Sequence, residues 1–276
     1  MWYTFTSGAA CVLIACSAVR AAEEKPTRRQ RIRIGEINKL DYKGQTWYFY
    51  IPTKVKRDRR RSLPLLVSIH GGPDRKTDNI EGCVKTFMDF SERDRVAVIA
   101  PFFLQVCRGY QTLCLNGTRA DLRLLEILEE AKRRVPILHI KRFYIFGHSA
   151  GAQFTQRFAL VHPERVAKGA VSCGAYTLPD PAEPWPRGTR EARIKLPELK
   201  FDEFVQLHFA IVVGELDGED DHNTVKGSEA LYSACKGYAK KRRLRCNIVY
   251  HVNRGVGHAC AGMSARWAIT NLFERR

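Results

Sequence analysis

At 276 residues, 45% hydrophobic and 27% charged, the chain holds enough material for one large domain with a full core and too little for an added propeller or gating domain. Its formal net charge of +17 and pI of about 9.7 attract acidic partners. The basic residues are scattered over many segments without a nucleic-acid-binding motif, so nucleic acid is not an expected partner; acidic polysaccharide or an anionic membrane remains.

Residues 1–22 resemble an export leader. Residues 9–18 form an apolar stretch too short to span a bilayer, and Val19-Arg20-Ala21 offers a cleavage site. Leu13-Ile14-Ala15-Cys16 also matches a lipobox, so a lipid anchor at Cys16 stands beside free secretion or a periplasmic location. Of nine cysteines, seven follow the leader, a number that agrees with an oxidising compartment. Proximity suggests two disulfides, Cys107 with Cys114 and Cys235 with Cys246. No C-x-x-C pair or close His/Cys run suggests a metal site.

From residue 23 onward a single α/β domain is expected. Residues 30–40 and 45–52 alternate apolar and polar around Asp41-Tyr42-Lys43-Gly44 and predict a β-hairpin. Residues 63–69 form a continuous apolar run, hence a buried strand, ending in His70-Gly71-Gly72-Pro73. A helix is predicted over 80–94 and a strand over 96–103. Residues 120–134 predict an amphipathic helix with Leu122, Leu125, Leu128 and Ala131 on its apolar face. Residues 143–146 predict another buried strand, followed by Gly147-His148-Ser149-Ala150-Gly151 and a helix over 152–161. A strand is predicted over 168–176. Residues 177–200, with prolines at 179, 181, 184, 186 and 197, predict an irregular excursion that walls or covers a pocket. A strand at 209–213, a helix at 224–241, a strand at 246–252 and a helix at 263–273 complete the chain. The alternation predicts a mostly parallel sheet with helices on both faces, its loops meeting in a crevice at the strands' carboxyl ends.

A G-x-S-x-G pentapeptide between strand and helix projects a serine hydroxyl from the sheet edge. That hydroxyl needs a base, and the base needs an orienting acid. Asp217 follows the strand at 209–213, with Glu215, Asp220 and Asp221 as competitors; His258 follows the strand at 246–252. The order Ser149, Asp217, His258 is that of an α/β-hydrolase triad. Oxyanion donors are expected from the Ala150 N–H and from the loop at His70-Gly71-Gly72, Gly72 before Gly71. His148 is expected to line the pocket or pack beneath the turn. Tyr176 and Trp185 are candidates to stack on an aromatic acyl group or sugar, with loop packing as the alternative. His70, His139, His162, His208, His222 and His251 are expected to be structural.

These motifs resemble the α/β-hydrolase superfamily. They are joined by Leu65-Leu66-Val67-Ser68-Ile69 before the histidine and glycines, Phe158-Ala159-Leu160-Val161-His162-Pro163 after the serine helix, Gly214-Glu215-Leu216-Asp217, and Gly257-His258. Within the superfamily the chain resembles single-domain secreted esterases related to polyhydroxybutyrate depolymerases and to feruloyl or acetylxylan esterases; where such proteins often carry glycine after the pentapeptide, it has Ala152. The resemblance implies attack by Ser149 on an ester carbonyl, an acyl-enzyme, and release by water, with no metal or organic cofactor, on an ester of plant-polysaccharide or polyester origin. Two alternatives stand beside it: a prolyl-oligopeptidase-like serine peptidase, suggested by His70-Gly71-Gly72-Pro73, and a non-catalytic polysaccharide-binding module, suggested by the charge.

Overall fold

The computed structural model of the chain describes residues 30–56, 58, 60–72, 80–115, 117–218 and 224–274. The expected leader with Cys16 lies outside these, as do Pro73, Asp220, Asp221 and His222. One compact unit spans Ile32–Arg276.

Eight strands form one sheet: β1 (Ile37–Tyr42), β2 (Gln45–Tyr50), β3 (Leu65–Ile69), β4 (Ala97–Pro101), β5 (Phe143–His148), β6 (Val166–Ser172), β7 (Phe209–Gly214) and β8 (Ile248–Asn253). Their spatial order is β1-β2-β4-β3-β5-β6-β7-β8. The hairpin β1–β2 is antiparallel and joins β4 antiparallel, while the six strands from β4 to β8 run parallel. Lys43 and Gly44 both adopt positive φ, which makes the two-residue turn that closes this hairpin. Every residue of β3, β4 and β7 is buried, as strands covered on both faces require.

The helices are α1 (Ile80–Lys85), α2 (Met88–Asp94), α3 (Ala120–Arg134), α4 (Ala150–Val161), α5 (Phe201–Gln206), α6 (Thr224–Arg242) and α7 (Ala261–Ala268), the last continuing into a π-turn at Ile269–Phe273. One core lies between the sheet and α3, α4 and α6, around Leu124, Phe154, Phe158 and Leu231. The other lies between the sheet and α1, α2 and α7, around Val84, Phe90 and Ala265.

Several boundaries differ from the sequence reading. The helix expected over 80–94 is two short helices broken at 86–87. The apolar face of α3 is turned: Leu124, Ile127, Leu128 and Ala131 are buried, whereas Leu122 is 45% exposed. A leucine-rich helix offers more than one stripe at helical spacing, and the sheet's shape selects between them. The strand expected over 168–176 ends at Ser172, since Cys173 has a left-handed φ of 56° that stops the ladder. Helix α5 was not anticipated.

The excursion over 177–200 is irregular, with a bridge between Pro184 and Arg190 and one turn of helix at Ala192–Lys195. It is pinned by Arg157 of α4, a side chain 2% exposed. Its guanidinium donates to Thr177 Oγ1 (3.0 Å), Gln111 O (2.6 Å) and Pro186 O (3.3 Å). Trp185 lies over the same guanidinium, 5.7 Å from ring centroid to Cζ.

Candidate active site

Ser149 stands between β5 and α4 with φ 55° and ψ −119°, a conformation a non-glycine residue holds only when its surroundings enforce it. The motif glycines explain how it is held. A Cβ at position 147 collides with Gly151 O, and one at position 151 collides with the carbonyls of Ile69 and His70. Both glycines are therefore needed for α4 to start this close to β3 and β5. The Ser149 N–H donates to Ser172 O at 2.8 Å, which ties the turn to β6.

His258 Nε2 lies 3.0 Å from Ser149 Oγ, and His258 Nδ1 lies 3.0 Å from Asp217 Oδ1. The imidazole is 45% exposed at the mouth while the Asp217 side chain is 5% exposed. Burial opposes ionisation of Asp217, but the polar neighbours Cys173 and Thr224 and the bond from His258 hold its carboxyl below the usual range, so it is a carboxylate. The Nδ1 proton therefore points at Asp217, leaving the Nε2 lone pair to face the serine hydroxyl. Gly214 allows the two loops to meet, because a Cβ there would stand 2.5 Å from the carbonyls of Val256 and Gly257. Of the competitors, Glu215 turns away and accepts the Gly255 N–H.

Gly72 lies beside Ala150: a Cβ built on it comes within 3.9 Å of the Ala150 Cβ. Ala150 opens α4, ahead of the first amides to return to Ser149 O, those of Ala152 and Gln153. The loop that carries Gly72 is fixed from below by His70. The Phe103 N–H donates to its Nε2 (3.2 Å), so Nδ1 bears the proton and donates to Gly71 O (2.6 Å). Tyr110 Oη contacts the carbonyl oxygens of His70 and Gly71 at 2.7 and 2.8 Å. His70 is structural, as the sequence suggested.

A cavity of about 280 Å³ opens at Ser149, lined also by Gln153, Cys173, Ala175, Asp217, Thr224 and His258. Three expectations about its walls are corrected. Tyr176 is 6% exposed in the core beneath, and its Oη accepts the Gly174 N–H, so its ring cannot stack on a substrate. Trp185 packs against that core and Arg157 rather than lining the cavity. No residue of 177–200 lines it, so the excursion walls α4 instead of covering the site. His148 packs beneath the turn, its ring centroid 5.1 Å from that of His258 and its Nδ1 3.3 Å from Ser172 Oγ. Burial, then the neighbouring His258, lower its pKa to about 4, so it is neutral at physiological pH.

The alpha/beta hydrolase fold family matches residues 64–241, nearly two thirds of the chain. The chain belongs to this family. Among solved structures, poly(aspartic acid) hydrolase-1 from Sphingomonas sp. KT-1 is 16% identical with a TM-score of 0.72, over 88% of this chain and 100% of that one. The poly(3-hydroxybutyrate) depolymerase LpqC from Bordetella parapertussis is 19% identical with a TM-score of 0.67, over 87% and 91%. Acylaminoacyl peptidase is 16% identical with a TM-score of 0.58, over 87% of this chain but only 41% of that one. No curated protein sequence matches the chain.

The family match stops before His258, which fold geometry alone brings to Ser149. Reading the sequence did not find Cys173, Thr224, Gln153 or Ala175. Cys173 carried a usable signal, since it follows β6, the neighbour of the serine's strand. Neither expected pairing is bonded in this structure, in which the seven cysteines of the described residues are free. Folding also produces a cluster that linear spacing hides, His148, Cys173 and Cys260, whose ligand atoms lie within 4.8 Å of one another.

Proposed function

We propose that this alpha/beta hydrolase is a serine carboxylic-ester hydrolase that works through an acyl-enzyme, on an ester outside the cytoplasm. The observation that carries the reading is the continuous path from Asp217 through His258 to Ser149, both links at 3.0 Å. In this reading His258 Nε2 takes the Ser149 proton as Oγ attacks the carbonyl carbon, and Asp217 stabilises the imidazolium that forms. The Ala150 and Gly72 amides receive the oxyanion, and the positive end of α4 adds to their effect. His258 then protonates the departing alcohol, and water repeats the sequence to free the acid. At about 280 Å³ the cavity lies at the small end of ligand sites, which run from roughly 300 Å³, and this favours a short acyl group. The apolar stretch at residues 9–18 supports export, with Cys16 as a candidate lipid-anchor site.

A peptidase reading draws on the similarity to acylaminoacyl peptidase. The chain covers 41% of that protein but 91% of the poly(3-hydroxybutyrate) depolymerase, so the ester reading is preferred. The test is a panel of p-nitrophenyl acetate, butyrate and palmitate beside aminoacyl and dipeptidyl p-nitroanilides, with fluorophosphonate labelling in parallel. Wild type is expected to label and to turn over the short esters fastest. Ser149→Ala is expected to lose labelling and to lower kcat by at least about 10³-fold while remaining folded. Faster turnover of the anilides would favour the peptidase, and a folded wild type that never labels would favour the binding module.

A further inference from the structure

Beneath His258, two cysteines far apart in the chain meet. Cys173 follows β6 and Cys260 caps α7, 87 residues later, and their Sγ atoms are 2.9 Å apart. Both side chains are 1% exposed. Two sulphurs not bonded to each other normally rest further apart than carbons do, beyond about 3.5 Å, so this contact is closer than packing alone would give. A metal ion does not account for it, despite His148 nearby. Two thiolates at about 2.3 Å from a tetrahedral ion stand roughly 3.8 Å apart, so the sulphurs would have to separate.

Two further observations bear on the pair. Cys173 holds a left-handed φ of 56°, a conformation in which glycine would be the unstrained choice. Cys260 is tied locally: its N–H donates to His258 O at 2.8 Å, and its Sγ lies 3.4 Å from Ser264 Oγ. Ser172 Oγ in turn reaches Ser264 Oγ at 2.8 Å. The thiols also share protons unevenly. The one bond between them, donated by the Cys173 thiol to Cys260 Sγ, lowers Cys260 and raises Cys173, so Cys260 is the thiol of the pair that ionises first. Such a thiolate attacks the sulphur of a small-molecule disulfide to give a mixed disulfide, and the neighbouring thiol, on losing its proton, displaces the second half of the oxidant.

We propose that Cys173 and Cys260 close into a disulfide that staples the carboxyl end of β6 to the start of α7, directly behind the His258 loop. The oxidant is a small-molecule disulfide such as oxidised glutathione. Two Sγ–H bonds break, one Sγ–Sγ bond forms, and the two electrons and two protons convert the oxidant to two thiols. The bond forms during folding, as α7 docks on the sheet and brings the sulphurs together. It would restrain the longest covalent loop among the cysteine pairs considered, and the penalty that cross-linking removes from folding grows with loop length.

The test is a peptide map of wild-type protein refolded in a mixture of reduced and oxidised glutathione. Circular dichroism first establishes that it is folded; the protein is then alkylated with iodoacetamide and cut with trypsin without reductant. The expected product joins peptide 169–187, which contains Cys173, to peptide 255–266, which contains Cys260. Its mass is two hydrogens below the sum of the two, and reductant separates them. Recovery of both peptides alkylated, or of either joined to another cysteine, overturns the proposal. Folded oxidised protein is also expected to melt several degrees above the same protein in reductant. A linked peptide with no change in melting overturns the stapling role. The map does not depend on turnover, so it stands apart from the esterase reading.

Discussion

Asp121, the second residue of α3, has no exposed surface and yet is charged. Burial pushes its carboxyl up, but Arg119 and His162 outweigh that and bring the pKa to about 2 against an ordinary 3.8. Arg119 Nε donates to Oδ1 at 2.8 Å, and His162 Nε2 lies 2.8 Å from Oδ2. A carboxyl whose pKa is depressed in the fold adds stability above its ordinary pKa, and that stability is lost as pH falls toward the folded value. Asp121→Asn is therefore expected to lower unfolding free energy by about 2 kcal/mol at pH 7, and the gap to wild type should shrink steadily between pH 4 and pH 2. Urea melts at pH 7 and pH 2.5 check this; an equal gap at both pH values would show that the carboxylate's charge is not the cause. Nothing in the linear sequence marks Asp121 as a buried charge. The fold was needed to place His162 of a later element against it. Ser149 and His258 were legible because strand-edge position and triad order constrain them. Tyr176 was misread because nothing linear separates a tyrosine facing a cavity from one facing the core below it.

At the scale of elements, the excursion over 177–200 depends on one buried cation. Among the described residues Arg157 has no carboxylate partner, and it bonds instead to carbonyls, to a hydroxyl and to the Gln153 amide at 3.1 Å. Burial alone lowers its pKa to about 9, so it stays charged at neutral pH. Replacing it strands those acceptors in the interior, each costing about 1–3 kcal/mol if left unmade. Arg157→Met, which keeps much of the volume, is expected to cost about 2–4 kcal/mol overall. Trypsin should then cut after Arg187 and Arg190 at least several-fold faster, while cuts after Arg133 and Arg134 in α3 change little. Uniform acceleration at all sites would mean global destabilisation rather than release of the excursion. The prolines made this segment's irregularity legible. Its anchorage was not, because Arg157 sits on the face of α4 opposite to where a charged residue is ordinarily placed. The parallel sheet was legible for a related reason: short apolar runs alternating with helices imply parallel strands joined by crossovers.

Across the whole molecule the net charge is +17, large for one domain of this size. A field of that sign raises the local concentration of anions and speeds their encounter, and salt screens it: the Debye length is about 30 Å at 0.01 M and about 10 Å at 0.1 M. The polyanion named for poly(aspartic acid) hydrolase-1 belongs to that protein, but the charge here gives an independent reason to test anionic substrates. With p-nitrophenyl hydrogen succinate, kcat/KM is expected to fall about five- to tenfold between 10 mM and 300 mM salt. The neutral p-nitrophenyl acetate should change less than about twofold, since it feels no net force from the field. The difference should reside in KM, because nothing in the path from Asp217 to Ser149 is remote enough from its partners to be screened. Equal salt responses for the two esters would mean that the positive charge faces away from the cavity and serves some other contact.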